Sequence, residues 1–127
     1  MKNRVLIDTN VIIRLTVRDH EAHYLIAKEL FEKIENREVE VELLDMIIAE
    51  IIYVLHKVYG YTKDDVVMTL KKVLNYEYVV VDNKVLIYEA LDIFGTKNID
   101  FADAMLCAKK NLEGYEVMSF DKDLKRC

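Results

Sequence analysis

"RVLIDTNVII", residues 4–13, sets the reading of this chain. Val5, Leu6 and Ile7 form a continuous apolar run, which predicts a buried strand over about residues 3–8. The run ends on Asp8, passes through Thr9 and Asn10, and becomes apolar again. That restart predicts a short helix from Asn10, with Asn10 or Thr9 as its cap. A carboxylate at the end of a core strand needs a reason: a helix cap, a turn, or a bound ion.

Outward from this stretch, strands and helices alternate. A longer helix is predicted from near Asp19, with Ile26, Ala27, Leu30, Phe31 and Ile34 at helical spacing and Lys28, Glu29, Glu32 and Lys33 outside. "VEVEL" (39–43) alternates apolar and acidic residues, as a half-buried or edge strand does. Asp45 is placed to cap a helix to about Lys57, with Gly60 ending it. Thr62 and Asp65 resemble a capping box opening a helix to about Leu74. "YVVV" (78–81) predicts a buried strand, after which Asp82 caps a helix ending at Gly95. Asp100 opens "DFADAMLCAKKNL", which stops near Gly114, and "YEVMS" (115–119) predicts a last strand leading into "FDKDLKR". Apolar strands alternating with helices indicate an α/β fold with a parallel sheet covered on both faces. In such sheets ligands bind beyond the carboxyl ends of the strands, where Asp8 and Asp121 fall.

Composition narrows the class. The 127 residues are 53% hydrophobic and 32% charged, without proline and with three glycines, so one globular domain over 1–127 is expected. Apolar runs such as "MIIAEIIYVL" fall well short of the roughly 20 residues that span a bilayer. "MKNRVLID" has no signal-peptide pattern, so no membrane association and a cytoplasmic location are expected. Cys107 and Cys127 form no metal-binding pattern, a disulfide framework is not expected, and Cys107 reads as a small core residue. The net charge of −5 argues against a phosphate-binding surface. Yet if four of the 23 acids hold a metal, 19 remain against 18 Lys and Arg, close to neutral.

Four acids stand where the pattern asks for apolar residues. Glu50 is flanked by Ile47, Ile48, Ile51 and Ile52; it is either a buried carboxylate, which needs a cation or a hydrogen-bond network, or one that reaches the solvent edge of a broad apolar face. Asp103 has Phe101, Met105 and Leu106 around it, although an acid in a first helical turn also suits the helix dipole. Asp121 follows the last expected strand and is equally a turn aspartate; Asp123 is its neighbouring alternative. Asp8 either caps a helix or binds an ion with Asn10 supporting it. Carboxylates gathered at one sheet edge repel one another, and a hard divalent cation such as Mg²⁺ or Mn²⁺ resolves that repulsion. Such a cluster supports phosphodiester hydrolysis by metal-activated water.

His20 and His23 read as solvent-exposed, and His56 as structural at a helix end. Arg14, Lys122, Lys125 and Arg126 lie near the strand ends that carry Asp8 and Asp121; they are phosphate contacts or ordinary surface charge.

In order along the chain, these motifs resemble the PIN domain family, and within it the VapC-type ribonucleases of prokaryotic toxin–antitoxin pairs. "LIDTNVII" matches the opening D-T-N, "IIAEIIYVL" the glutamate helix, "IDFADAMLCA" the later acid-bearing helix through Asp103, and "SFDKDL" the closing [ST]-x-D through Ser119 and Asp121. The resemblance implies a three-layer α/β/α fold with a mainly parallel sheet of four or five strands. It implies one or two Mg²⁺ or Mn²⁺ ions on Asp8, Glu50, Asp103 and Asp121, with Asp100 as an accessory ligand. Asn10 and Ser119 would orient those ligands, and Arg14 and Lys122 would contact phosphate. RNA would be the substrate, a small antitoxin the partner, and a homodimer the assembly. The alternatives are an RNA-processing nuclease outside a toxin pair and a non-catalytic RNA- or protein-binding module. An aspartyl-phosphate enzyme or receiver domain ranks last, because Asn10 stands where such a phosphatase has a second acid.

Overall fold

The computed structural model describes residues 4–127 without the side chains of Asp123 and Arg126, so Asn3 and those two side chains lie outside the described residues. Strand β1 (Arg4–Leu6) runs parallel to β2 (Glu40–Glu42), which runs parallel to β3 (Val79–Val80). The register pairs Val5 with Val41 and Val41 with Val79. β2 is therefore the central strand, not an edge. Val41 is fully buried, while Arg4 forms ion pairs with the flanking Glu40 and Glu42.

Helices fill the crossovers: α1 (Thr9–Val17), α2 (Glu21–Glu35), α3 (Asp45–Tyr53), α4 (Lys63–Leu74), α5 (Lys84–Thr96) and α6 (Phe101–Glu113). The fold is thus the expected PIN-like α/β arrangement with a parallel sheet. Ile12, Ile13, Ile34, Ile48, Ile51, Leu70, Leu74, Ile87 and Leu91 pack the core between sheet and helices. No helix among the described residues is long and apolar enough to cross a membrane.

Several helix starts differ from expectation by one residue, because a side chain caps only where it reaches a free N–H. Asp8, not Thr9 or Asn10, occupies the cap position of α1, and its side chain makes no capping bond. Leu44 precedes α3, so Asp45 is the first helical residue. Asn83, not Asp82, caps α5 by accepting from Leu86 N–H at 3.1 Å. The Thr62 cap on Asp65 N–H and the Asp100 cap on Asp103 N–H form as expected, at 3.1 and 2.9 Å. Gly60 and Gly114 take positive φ just past their helices, a conformation that suits glycine. Gly95 lies inside α5, where an added Cβ would stand 3.3 Å from Val67 of α4.

The largest departure is at the C-terminus. The expected strand 115–119 does not form, and the described sheet has three strands, not four or five. Only Val117 of that segment is half-buried, too little apolar burial to hold it against the sheet. Beyond it a 3₁₀ turn (Lys122–Arg126) seats Leu124 on the core, and a Cys107–Cys127 disulfide ties the chain end to α6. The cysteines were not expected to pair; folding the tail back brings their Cα atoms to 5.1 Å.

Candidate functional site

Two depressions receive three of the four acids that stand out in the sequence, Asp8, Asp103 and Asp121. The larger is a groove of about 580 Å³, lined by Asp100, Phe101, Ala102 and Asp103 at the start of α6 and by Asp121 from the tail. Ala49, Ile52 and Tyr53 of α3 also line it, together with His56, Lys57, Lys63 and Phe94 of α5. Asp100 is exposed and accepts the Asp103 N–H, which fixes the first turn of α6. Asp103 is half-buried in that turn, where the helix dipole favours its negative charge. Ser119 accepts the Asp121 N–H at 2.9 Å, a local turn that shapes the backbone carrying the acid.

The basic wall was not singled out in the sequence. After Tyr53 the helix widens into a π-helical turn, Val54–Val58, closed by Tyr59 N–H on the Val54 carbonyl at 3.0 Å. His56 Nδ1 lies 2.8 Å from the Tyr61 carbonyl. A carbonyl only accepts, so Nδ1 carries the hydrogen. Lys63 donates to the carbonyls of Lys97 at 3.0 Å and Ile99 at 2.6 Å, with its ammonium 4.2 Å from the centre of the Phe94 ring. Burial, and next the like charge of Lys57, lower its pKa from the usual lysine value, while Asp100 acts in the opposite sense.

Asp8 lines a different, mainly apolar pocket of about 210 Å³ with Asn10, Val11, Arg14, His23, Ile26, Ala27 and Leu30. Thr9, between the two polar residues, is buried, and its hydroxyl has no partner among the described residues. Arg14 donates to Asp19 at 2.7 Å, and Tyr59 OH donates to the same carboxylate at 3.2 Å. The hydrogen bond to Asp19 raises the Arg14 pKa further, and the one from Arg14 lowers that of Asp19. Its guanidinium is thus already engaged with a carboxylate. His20 Nδ1 accepts the His23 N–H at 3.2 Å as the cap of α2, and the two exposed rings stack with centroids 3.8 Å apart.

Glu50 is exposed and lines neither depression. At about 100° per residue, the buried Ile48, Ile51 and Ile52 form one stripe and Glu50 falls nearly opposite it. Of its neighbours three and four residues away, Ile47 and Val54 are half-buried and Met46 and Tyr53 exposed, so no buried carboxylate needs compensation there. Lys122 is exposed in the tail turn.

Two further acids at the sheet's carboxyl edge were read only as caps. Asp45 follows β2 and Asp82 follows β3, much as Asp8 follows β1. Burial, and next repulsion from Asp82, raise the Asp45 carboxyl above its ordinary value, with Lys109 opposing. One of its oxygens, Oδ1, is buried without a partner among the described residues.

The donor chemistry fits a hard divalent cation, since Asp100, Asp103 and Asp121 bring carboxylates to one groove. Among the described residues no three His, Cys, Asp or Glu stand close enough to enclose an ion. The fit is therefore to an ion held by one or two carboxylates and completed by water, as Mg²⁺ often is.

Comparison with known proteins agrees with the fold. A family model described as "PIN domain" matches residues 5–127. The VapC ribonuclease of Aquifex aeolicus (strain VF5) is 25% identical over 122 residues, covering 95% of this chain and 90% of that protein. With the family model matched along nearly its whole length, the chain belongs to the PIN domain family.

Proposed function

We propose that this protein is a Mg²⁺- or Mn²⁺-dependent endoribonuclease, the toxin of a VapBC-type pair. One observation carries this: Asp100, Asp103 and Asp121 share a groove with His56, Lys57 and Lys63. Its carboxylates suit a divalent ion, and its cations suit the phosphates of a nucleic acid. The likeness to a VapC ribonuclease supports RNA as the substrate class.

Asp103 and Asp121 would hold the ion, with Asp100 accessory, and Asp8 and Glu50 are the remaining proposed ligands. A bound divalent ion would acidify a coordinated water and polarise the phosphoryl group. Lys57 and the basic edge of the groove would draw the RNA backbone in against the protein's net charge of −5. Tyr53, largely exposed at the rim, offers a ring on which a base can stack. Asn10 beside Asp8 and Ser119 beside Asp121 would keep those acids oriented, and Lys122 would touch phosphate from the tail. Pairing with a small antitoxin, homodimer formation and a cytoplasmic location belong to the same proposal.

The test is cleavage of single-stranded RNA with Mg²⁺ or Mn²⁺ by the parent and by Asp8→Asn and Asp103→Asn. The parent is expected to cut and both variants to lose at least about 100-fold, the scale of one misplaced catalytic group. Variants that cut like the parent would overturn the assignment. A second reading, an RNA-binding module without catalysis, is favoured by the separation of Asp8 and Glu50 from the groove. It predicts gel-shift binding by the parent with no cleavage under either metal.

A further inference from the structure

We propose that Lys63 is a positioning residue for the groove carboxylates, clamping the turn between α5 and α6 from which Asp100 and Asp103 are presented. This rests on the nuclease reading of the groove, but the clamp can be measured without it.

Lys63 is the first residue of α4, where a cation faces the positive end of the helix dipole. The ammonium is also partly desolvated, a second cost. Both are offset at one place: the carbonyls of Lys97 and Ile99 accept from Nζ, and the face of Phe94 lies beneath it. Those carbonyls bracket Asn98 in the turn that follows α5. The next residue after Ile99 is Asp100, whose carboxylate accepts the Asp103 N–H. A chain of contacts thus runs from one ammonium to the turn, to the cap, and to the first turn of α6.

No neutral side chain does this equally well. Two carbonyl dipoles converge on one point, which suits a compact ammonium with three donors. The same positive charge lies near Asp100, which it attracts, and this tightens the arrangement. Lys63 need not touch RNA to matter, because a displaced turn carries both acids with it.

The experiment compares the full chain with Lys63→Met, Lys63→Gln and Lys72→Met, the last an exposed lysine on the same helix. Amide hydrogen exchange is read at Lys97–Asp103 without metal, and kcat and KM are measured separately on single-stranded RNA with Mn²⁺. Lys63→Met is expected to speed exchange at Asp103 by at least about fivefold, the equivalent of one lost hydrogen bond. Its kcat is expected to fall about 10- to 100-fold with KM within about twofold, as misplacement without lost binding would do. Lys63→Gln, which keeps donors for these carbonyls, is expected to fall between parent and Lys63→Met, and Lys72→Met to match the parent. Parent-like exchange and kcat in Lys63→Met would overturn the clamp. So would a loss in KM alone, which would make Lys63 a substrate contact. If Lys63→Met does not fold, Lys63→Gln decides by the same criteria. If the parent cuts no RNA, the nuclease reading falls, while exchange at Asp103 still decides the clamp.

Discussion

Phe101 at the start of α6 is 6% exposed and meets Phe94 edge-to-face at 6.1 Å, whereas Phe120 in the tail is 95% exposed. Each stands beside a groove acid, Phe101 between Asp100 and Asp103, Phe120 directly before Asp121. The α6 acids are placed by a packed aromatic pair, a side-chain cap and a lysine clamp. Asp121 is placed by a local serine turn, with Leu124 and the disulfide holding the chain beyond it. The α6 acids are therefore carried by an element packed on the core, and Asp121 by the exposed tail. Segments of the second kind open at low free-energy cost.

The sharpest way to break this contrast is to truncate the two rings. Phe101→Ala is expected to cost about 3–5 kcal/mol in urea unfolding, the usual range for a buried phenylalanine. Phe120→Ala is expected to stay within about 0.5 kcal/mol. Equal losses would mean that the tail is packed like the helix.

The covalent tie comes next. Cys107 and Cys127 are 20 residues apart in sequence, and closing a loop of that size restricts the unfolded chain. Cys127→Ser is expected to lower stability by about 3 kcal/mol. The parent in reductant should fall to the value of the variant, which itself should ignore reductant. A parent indifferent to reductant would leave Leu124 as the tail's anchor.

Asp100→Ala is a smaller change on the packed side. Loss of the α6 cap is expected to cost about 1 kcal/mol by thermal melting, while Asp100→Asn, which also caps, is expected to retain most of it. If Asp100→Asn loses as much as Asp100→Ala, attraction between its charge and Lys63 outweighs the cap.

What the sequence made legible follows the same division. The Thr62 and Asp100 caps depend on residues three apart and appear where expected, as do the Gly60 and Gly114 ends and the strand–helix alternation as far as α6. Strand 115–119 was misread because its apolar pattern resembles a strand's, yet holding it in a sheet requires a partner and buried area. Glu50 reads as buried or at the solvent edge from its apolar helical neighbours, and the second holds because Met46 and Tyr53 beside it are themselves exposed. The gathering of Asp100, Asp103 and Asp121 was partly legible from their motifs. Lys63 was not, since its partners lie 34 and 36 residues away and are backbone carbonyls. Asp45 and Asp82 read as caps, because a cap and a sheet-edge acid occupy the same place in sequence.

Asp45 gives the finest test, because it stands at the start of α3 as Asp100 does at α6, yet captures no N–H. Burial, and next Asp82, raise its carboxyl pKa, so the folded state holds the proton more tightly than the unfolded one. The ionised form therefore opposes folding. That penalty is absent below the unfolded value near pH ~3.9 and is complete once pH has risen past the folded value. Asp45→Asn removes the penalty and also removes an attraction to the helix dipole, so the net gain at pH 7 is expected to be about 0.5 kcal/mol or less. The pH trend is more decisive than the size. Urea midpoints of Asp45→Asn relative to the parent should rise between pH 3.5 and pH 7, in step with ionisation of the parent's Asp45. A difference that falls across that interval would mean the dipole and Lys109 outweigh burial and Asp82, and that Asp45 is as well placed as Asp100.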